Sequence, residues 1–196
     1  LIYRIYLPAD GSTGKVELPR AVHKKGDHDG SFDAKPLLQP ALLGHDIGLV
    51  SEAGMPAIAD PGSSVVRAAH ELCIQVLPQV GPVSLLLALA ASGLNGQNFA
   101  FVGYLPQDPS ERALRIRELE ALALKTGQTQ LFIETPYRNL AMLQALLQTL
   151  QANTRLAISS GLTLNNTRIA SHSIQQWKKA PAVLDNATPA VFAIGR

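Results

Sequence analysis

The sequence predicts an α/β fold with two lobes, and its patterning and composition support this prediction. From residue 44 onward, short apolar runs alternate with helical patterns, and this alternation is typical of α/β architecture with crossover connections. Over 196 residues the chain is 46% hydrophobic and 16% charged, so it can bury a substantial core. The formal net charge of +2 neither indicates nor excludes a nucleic acid partner.

The predicted elements follow one another in chain order. Strands are expected at 1–7, 47–50, 74–77, 99–102, 129–133, 155–158, 167–170 and 190–194. Helices are expected at 63–72, 83–91, 110–125, 140–150 and 173–179. The earlier strands are fully apolar, which is typical of a parallel sheet, whereas the later ones indicate a mixed sheet. We therefore expect an N-terminal lobe over 1–104 with a mostly parallel sheet and a C-terminal lobe over 105–196 with a mixed sheet.

Proline marks the expected helix starts. It occurs in Asp60-Pro61, Gly81-Pro82, Asp108-Pro109 and Thr135-Pro136. The fixed φ of proline suits the first helical turn, and Asp60, Asp108 and Thr135 are candidate N-caps. Three of these four starts closely follow a strand, so helix N-termini should gather near strand ends. Their free N–H groups would then line a cleft.

Cysteine usage and hydropathy favour a cytoplasmic protein. Cys73 is the only cysteine, so no internal disulfide forms, which fits a reducing compartment. Its flanks predict a buried, inert thiol. No apolar run reaches the ~20 residues that span a bilayer, and residues 1–7 lack the pattern of a signal peptide. We expect no membrane association and no metal site.

The segment 49–62 is the most informative part of the chain for ligand binding. An apolar strand runs directly into Glu52 and Gly54, and the turn Asp60-Pro61-Gly62 then starts a helix. Open α/β sheets place ligands at such strand ends. Small residues there allow a ligand to approach the backbone closely.

Further segments follow in order: Gly81-Pro82-Val83-Ser84, Ser92-Gly93-Leu94, Phe101-Val102-Gly103-Tyr104-Leu105-Pro106 and Glu134-Thr135-Pro136-Tyr137-Arg138. Together with the segment at 51–62, their order and gaps resemble the tetrapyrrole methylase superfamily of S-adenosylmethionine-dependent methyltransferases. Within it, the sequence most resembles the branch that methylates a cytidine 2′-hydroxyl of ribosomal small-subunit RNA. The resemblance runs from about Gly44 to Gly195.

The resemblance implies a two-lobed methyltransferase, usually a homodimer, with S-adenosylmethionine in the cleft between the lobes and RNA as a substrate. Matching by motif assigns cofactor contacts to Glu52, Gly54, Met55, Val83, Ser84, Ile133, Glu134, Pro189 and Ala190. Glu52 stands where the family often has aspartate.

The candidates for the general base that would assist methylation of a hydroxyl are Glu134, His45 and His28. Glu134 directly precedes an expected helix N-terminus, which stabilises its anion; alternatively it binds ribose hydroxyls or caps that helix. His45 is the second candidate, or else a plain turn residue. Trp177 either offers a base-stacking surface or anchors its helix to the core.

Departures from the family pattern leave alternatives open. The loop Tyr6–Gly11 is only a loose counterpart of the loop that usually ends the first strand, and Leu162-Thr163 retains half of a four-residue motif of the RNA-methylating branch. Either the first lobe is shortened or residues precede this sequence. Methylation of a tetrapyrrole-like small molecule and a non-catalytic role in ligand binding or assembly are the competing hypotheses.

Overall fold

The computed structural model describes residues 4–9, 12–17, 33–51, 54–179 and 184–196, with backbone alone in the first two ranges. The chain divides into two compact units, Leu1–Val83 and Ser84–Arg196. The predicted boundary after residue 104 differs from this division. Residues 84–104 belong to the second unit because their helix packs on its sheet and their strand pairs within that sheet.

The first unit contains a hairpin and short helices. Strands β1 (Arg4–Ala9) and β2 (Ser12–Glu17) pair antiparallel. A 3-10 turn, Lys35–Leu38, leads into α1 (Gln39–Leu42), and α2 spans Ser63–Glu71. Leu38 packs in a small core with three alanines, Ala34, Ala68 and Ala69.

Two strands predicted for this unit are irregular segments in the structure. Residues 47–50 and 74–77 form no ladder with any described residue, and a strand exists only where a neighbour satisfies its backbone N–H and C=O groups. Their apolar side chains still pack as expected, since Ile47, Ile74 and Val76 lie against the small core. The mostly parallel sheet of the N-terminal lobe therefore stays a prediction.

The prediction of a buried thiol at Cys73 is wrong. Cys73 is exposed and has a φ of 55°. It follows the C-cap of α2, where the amide of Ile74 donates to the carbonyl of Ala69 and the amide of Cys73 donates to that of His70. This pair of hydrogen bonds defines a Schellman turn, which places its left-handed residue outside the helix.

The second unit is built on a five-stranded mixed sheet. Its strands are β3 (Phe99–Tyr104), β4 (Thr129–Glu134), β5 (Arg155–Ser160), β6 (Arg168–Ser173) and β7 (Ala190–Gly195). Their spatial order is β3-β4-β7-β5-β6; β3 and β4 are parallel and the other neighbours antiparallel. The α/β class and the mixed C-terminal sheet are confirmed.

Four helices belong to this unit: α3 (Ser84–Ser92), α4 (Pro109–Thr126), α5 (Asn139–Thr149) and α6 (Ile174–Trp177). Helices α4 and α5 contact each other, and α3 lies over β5, β6 and β7. Within the described residues, we find no helix whose length and apolar character would let it cross a bilayer.

The core of the second unit lies on one face of its sheet. The register sets Phe192 of β7 opposite both Phe132 and Ile158, so alternate residues of three strands share that face. The Phe132 and Phe192 rings stack with centroids 5.6 Å apart. Ile116 of α4 and Leu146 of α5 complete this fully buried layer.

One of the three predicted N-caps is confirmed. The Asp108 carboxylate accepts hydrogen bonds from the amides of Ser110 (2.9 Å) and Glu111 (3.0 Å). Helix α2 starts from Gly62 without a side-chain cap, and Asp60 instead accepts from the Ser51 hydroxyl. Thr135 provides no side-chain cap to the 3-10 turn that follows it.

We expect Asp108→Ala to lower the melting temperature at neutral pH. Hydrogen bonds from the Ser110 side chain and the Glu111 backbone hold the pKa of Asp108 below its ordinary value of 3.8. A carboxyl with a lowered folded-state pKa stabilises the fold above its unfolded pKa and loses that effect as pH falls through the folded pKa. The difference between wild type and variant should therefore shrink below pH 3.8. Calorimetric scans at several pH values test this, and a difference that stays constant down to acid pH would contradict it.

Truncating the stacked pair should strongly destabilise the second unit. Phe192→Ala removes a fully buried ring, and such changes cost about 3–5 kcal/mol. Urea titration gives the free energy of unfolding. Leu114→Ala on the exposed surface of α4 is the control, with a change expected within about 0.5 kcal/mol. Equal losses in the two variants would argue against this packing.

Candidate functional site

Four residues predicted to bind the cofactor meet at one end of the sheet in the second unit. Glu134, at the end of β4, pairs with Ala190 at the start of β7, and Ile133 pairs with Val191 beside it. Pro189 directly precedes β7, and its carbonyl accepts a hydrogen bond from the Gly161 amide (3.0 Å). Antiparallel pairing therefore brings together residues that lie more than fifty positions apart in the chain.

Ser84 is the exposed first residue of α3. Leu94, just beyond the C-terminus of that helix, lies over Gly195, where an added Cβ would come within 3.1 Å of Leu94 Cδ2. Gly195 is at the opposite end of β7 from Ala190. The N-terminus of α3, with Ser84, is therefore directed away from the Gly195 end of the sheet.

In the first unit, two of the predicted motifs come together. Gly54 is exposed, and an added Cβ would meet no atom within 4 Å. Met55 is half-buried, with its Cε 4.0 Å from the position of a Cβ on Gly81. Val83 is buried at the end of the same unit. Glu52, which precedes this loop, lies outside the described residues.

The loop 54–62 has a strained backbone. Two of its glycines have positive φ, and so do Ala57 (66°) and Ala59 (55°). Left-handed conformations cost a residue with a Cβ roughly 1–2 kcal/mol, and such strain concentrates at functional sites. The amide of Ala57 donates to the Pro61 carbonyl (3.2 Å), which helps to hold the shape. The glycines of this loop were visible to sequence analysis, but alanine gives no signal of a left-handed position.

A buried ion pair follows β4. The side chain of Glu134 is 1% exposed, and its Oε1 atom is paired with Nη2 of Arg138, which is 18% exposed. The same Oε1 accepts from the Thr135 amide (2.7 Å) and hydroxyl (3.1 Å). The Oε2 atom of Glu134 is buried and has no hydrogen-bond partner among the described residues. Glu134 thus holds Thr135 and Arg138 through one carboxylate oxygen, and neither helix capping nor ribose binding is tested by these contacts.

The other polar candidates lie elsewhere, and His28 is outside the described residues. His45 is exposed in the turn after α1, where its amide donates to the Pro40 carbonyl (3.1 Å). Trp177 is buried, donates from Nε1 to the Leu156 carbonyl (2.8 Å) and packs edge-on against His172. Trp177 therefore anchors α6 rather than offering a stacking surface. The described residues contain no group of three or more His, Cys, Asp or Glu side chains that could hold a metal ion.

Sequence analysis missed a polar network beside Pro189. Buried Asn139, the first residue of α5, donates from Nδ2 to the carbonyls of Asp185 (2.9 Å) and Thr188 (2.8 Å). Backbone hydrogen bonds from Ala187 and Thr188 hold the pKa of Asp185 below its ordinary value. An aspartate followed closely by Thr is a turn signal that could have revealed this loop, whereas nothing local marks Asn139.

Comparison with known families decides the relationship. The family model described as Tetrapyrrole (Corrin/Porphyrin) Methylases matches residues 10–177. The chain belongs to the tetrapyrrole methylase family. Among curated members, Ribosomal RNA small subunit methyltransferase I of Vibrio cholerae is 34% identical over 137 residues, covering 70% of this chain and 46% of the relative. The protein of the same name from Halalkalibacterium halodurans is 38% identical over 112 residues, covering 57% and 37%.

This tetrapyrrole methylase family member thus spans about half, or less, of the length of these relatives. A solved structure, Uroporphyrin-III C-methyl transferase from Thermus thermophilus complexed with S-adenyl homocysteine, is 17% identical. The match covers 73% of this chain and 63% of that one, with a TM-score of 0.42.

Breaking the buried ion pair should destabilise the second unit. Arg138→Met leaves the Glu134 carboxylate buried without its cation, which costs about 3–5 kcal/mol. Removing the charge as well, in the double variant with Glu134→Gln, should recover part of the loss. Urea titration of the single and double variants measures both effects.

The matched control is Arg115→Met, which breaks an exposed pair with Glu118 (3.0 Å) on α4. Exposed pairs contribute less than about 1 kcal/mol. If Arg138→Met were no more harmful than Arg115→Met, the Glu134–Arg138 pair would not hold this part of the structure.

Proposed function

We propose that this protein is an S-adenosylmethionine-dependent methyltransferase that acts on RNA, in a reaction like the 2′-O-methylation of ribosomal RNA. The observation that carries the proposal is the 34–38% identity to relatives named Ribosomal RNA small subunit methyltransferase I. Family membership and the ordered motifs support the same reaction class. We also propose a cytoplasmic homodimer, in keeping with the family resemblance.

Two local features of the described residues support the assignment of a nucleoside cofactor. In the first unit, Gly54 leaves open space beside the motif loop, and Met55 packs near Gly81. In the second unit, the buried Glu134 Oε2 has no hydrogen-bond partner among the described residues, and a carboxylate oxygen is the type of acceptor that a ribose hydroxyl requires. We assign the residues implied by the motifs to the cofactor: Glu52, Gly54, Met55, Val83, Ser84, Ile133, Glu134, Pro189 and Ala190.

The cofactor, when bound, supplies a methyl group already activated by its sulfonium. The protein's task is then to hold the reacting groups in line and to exclude water, and positioning of this kind is worth ~7–11 kcal/mol. Glu134 Oε1 is already engaged by Arg138 and Thr135. We therefore assign Glu134 to binding and orientation, and His45 remains the candidate base.

Titration of the purified full-length protein with S-adenosylmethionine and S-adenosylhomocysteine tests this function. We expect micromolar binding by calorimetry, followed by transfer of a labelled methyl group to small-subunit ribosomal RNA from a strain that lacks the protein. Met55→Ala should weaken cofactor binding. Ile58→Ala, an exposed apolar residue in the same loop, should bind like wild type.

Each contrary result favours a different hypothesis. Absence of cofactor binding by the folded protein would contradict the proposal and favour the non-catalytic homologue. Cofactor binding with methyl transfer to a tetrapyrrole rather than to RNA would support the small-molecule methyltransferase.

A further inference from the structure

The segment 185–189, which leads into β7, is folded around the side chain of its first residue, Asp185. The Oδ1 atom of Asp185 accepts from the amides of Ala187 (2.8 Å) and Thr188 (2.6 Å). Its Oδ2 atom accepts from the Thr188 hydroxyl (3.0 Å). A carboxylate that accepts several hydrogen bonds in this way fixes a turn tightly.

The same segment is held from outside by two further elements. From α5, Asn139 Nδ2 donates to the carbonyls of Asp185 and Thr188, and the Leu140 amide donates to Asn186 Oδ1 (3.0 Å). From the turn after β5, the Gly161 amide donates to the Pro189 carbonyl. A Cβ on Gly161 would lie 3.2 Å from Thr188 Cγ2, so that turn packs closely against the segment.

Asn139 is the buried member of this network. It is 0% exposed, and both hydrogen bonds of its amide nitrogen go to the two ends of the turn. Its Oδ1 atom is buried and finds no partner among the described residues. An unpaired buried acceptor is unfavourable, so the two hydrogen bonds that the amide nitrogen donates must offset that cost. The donors of Asn139 are therefore the reason to have an amide here.

The segment held in this way continues directly into Pro189 and Ala190, which the motifs assign to the cofactor, and Ala190 pairs with Glu134. We infer that Asn139 is a positioning residue that fixes the segment 185–189, and with it Pro189 and Ala190, in the geometry that binds the cofactor. This inference rests on the proposed function. Fixing the segment in advance removes the ordering cost that a loose segment would pay on binding.

Two variants of the full-length protein test this role from opposite sides of the segment. Asn139→Leu keeps the branching of the side chain and removes both donors. Asp185→Ala removes the internal acceptor at an exposed position, so it remains informative if Asn139→Leu does not fold. We expect both variants to bind S-adenosylhomocysteine about tenfold more weakly by calorimetry, and to exchange the amide hydrogens of Ala187 and Thr188 faster.

Thr154→Val is the control for a merely structural effect. The buried Thr154 hydroxyl donates to Glu120, and Thr154 precedes β5 at the end of the sheet opposite to Ser160 and Ala190. This variant should lower the melting temperature and leave the Kd for S-adenosylhomocysteine unchanged.

The outcomes separate the inference from the function on which it rests. If wild type binds S-adenosylhomocysteine and both Asn139→Leu and Asp185→Ala bind it as tightly as wild type, Asn139 has no positioning role. The same follows if Thr154→Val weakens binding as much as Asn139→Leu. If wild type itself does not bind, the proposed function fails and this inference fails with it.

Discussion

The pairing of β7 on both of its edges is the constraint on which the rest of the second unit depends. One register sets Ala190 opposite Glu134 on one side and opposite Ser160 on the other. The start of β7 therefore lies beside the ends of both β4 and β5, and the loops that follow β4 and β5 meet beside Pro189. Because β7 is buried along its whole length, its sequence is apolar or small throughout.

Polar groups at this end of the sheet are costly to bury and are correspondingly well fixed. The Glu134 carboxylate and the Asn139 amide both use one end of their side chain to hold a loop, and each leaves one acceptor atom unpaired among the described residues. Buried polar atoms are nearly always paired in native proteins. Such exceptions call for an explanation, and a ligand site beside this strand end would provide one. The strained loop at 54–62 gives the same indication for the first unit.

Local signals predicted much of the fold. The predicted bounds of the strands in the second unit lie within a few residues of the observed bounds. Apolar runs bounded by proline and glycine are local patterns, so the sequence of a single segment is enough to predict them. Strand partners are not local: residues 47–50 have the composition of a strand but no described ladder partner.

The candidate site also depends on long-range contacts that the sequence does not predict. Motif order identified Glu134 and Ala190, whereas Asn139 acts on carbonyls 46 and 49 positions away. Alanine and cysteine rarely adopt a positive φ, so the sequence does not predict the left-handed conformations of Ala57, Ala59 and Cys73.

The central position of β7 in the sheet also affects how the second unit folds during synthesis. Strand β7, which joins β4 to β5, follows the other four strands of this sheet in the chain, so a nascent chain that has not reached residue 190 has two separate sheet fragments with unpaired apolar edges. Long-range pairing of this kind makes folding slow, and exposed strand edges promote aggregation. Synthesis of β7 thus completes this sheet. Until β7 arrives, these edges are the surfaces on which chaperones would act.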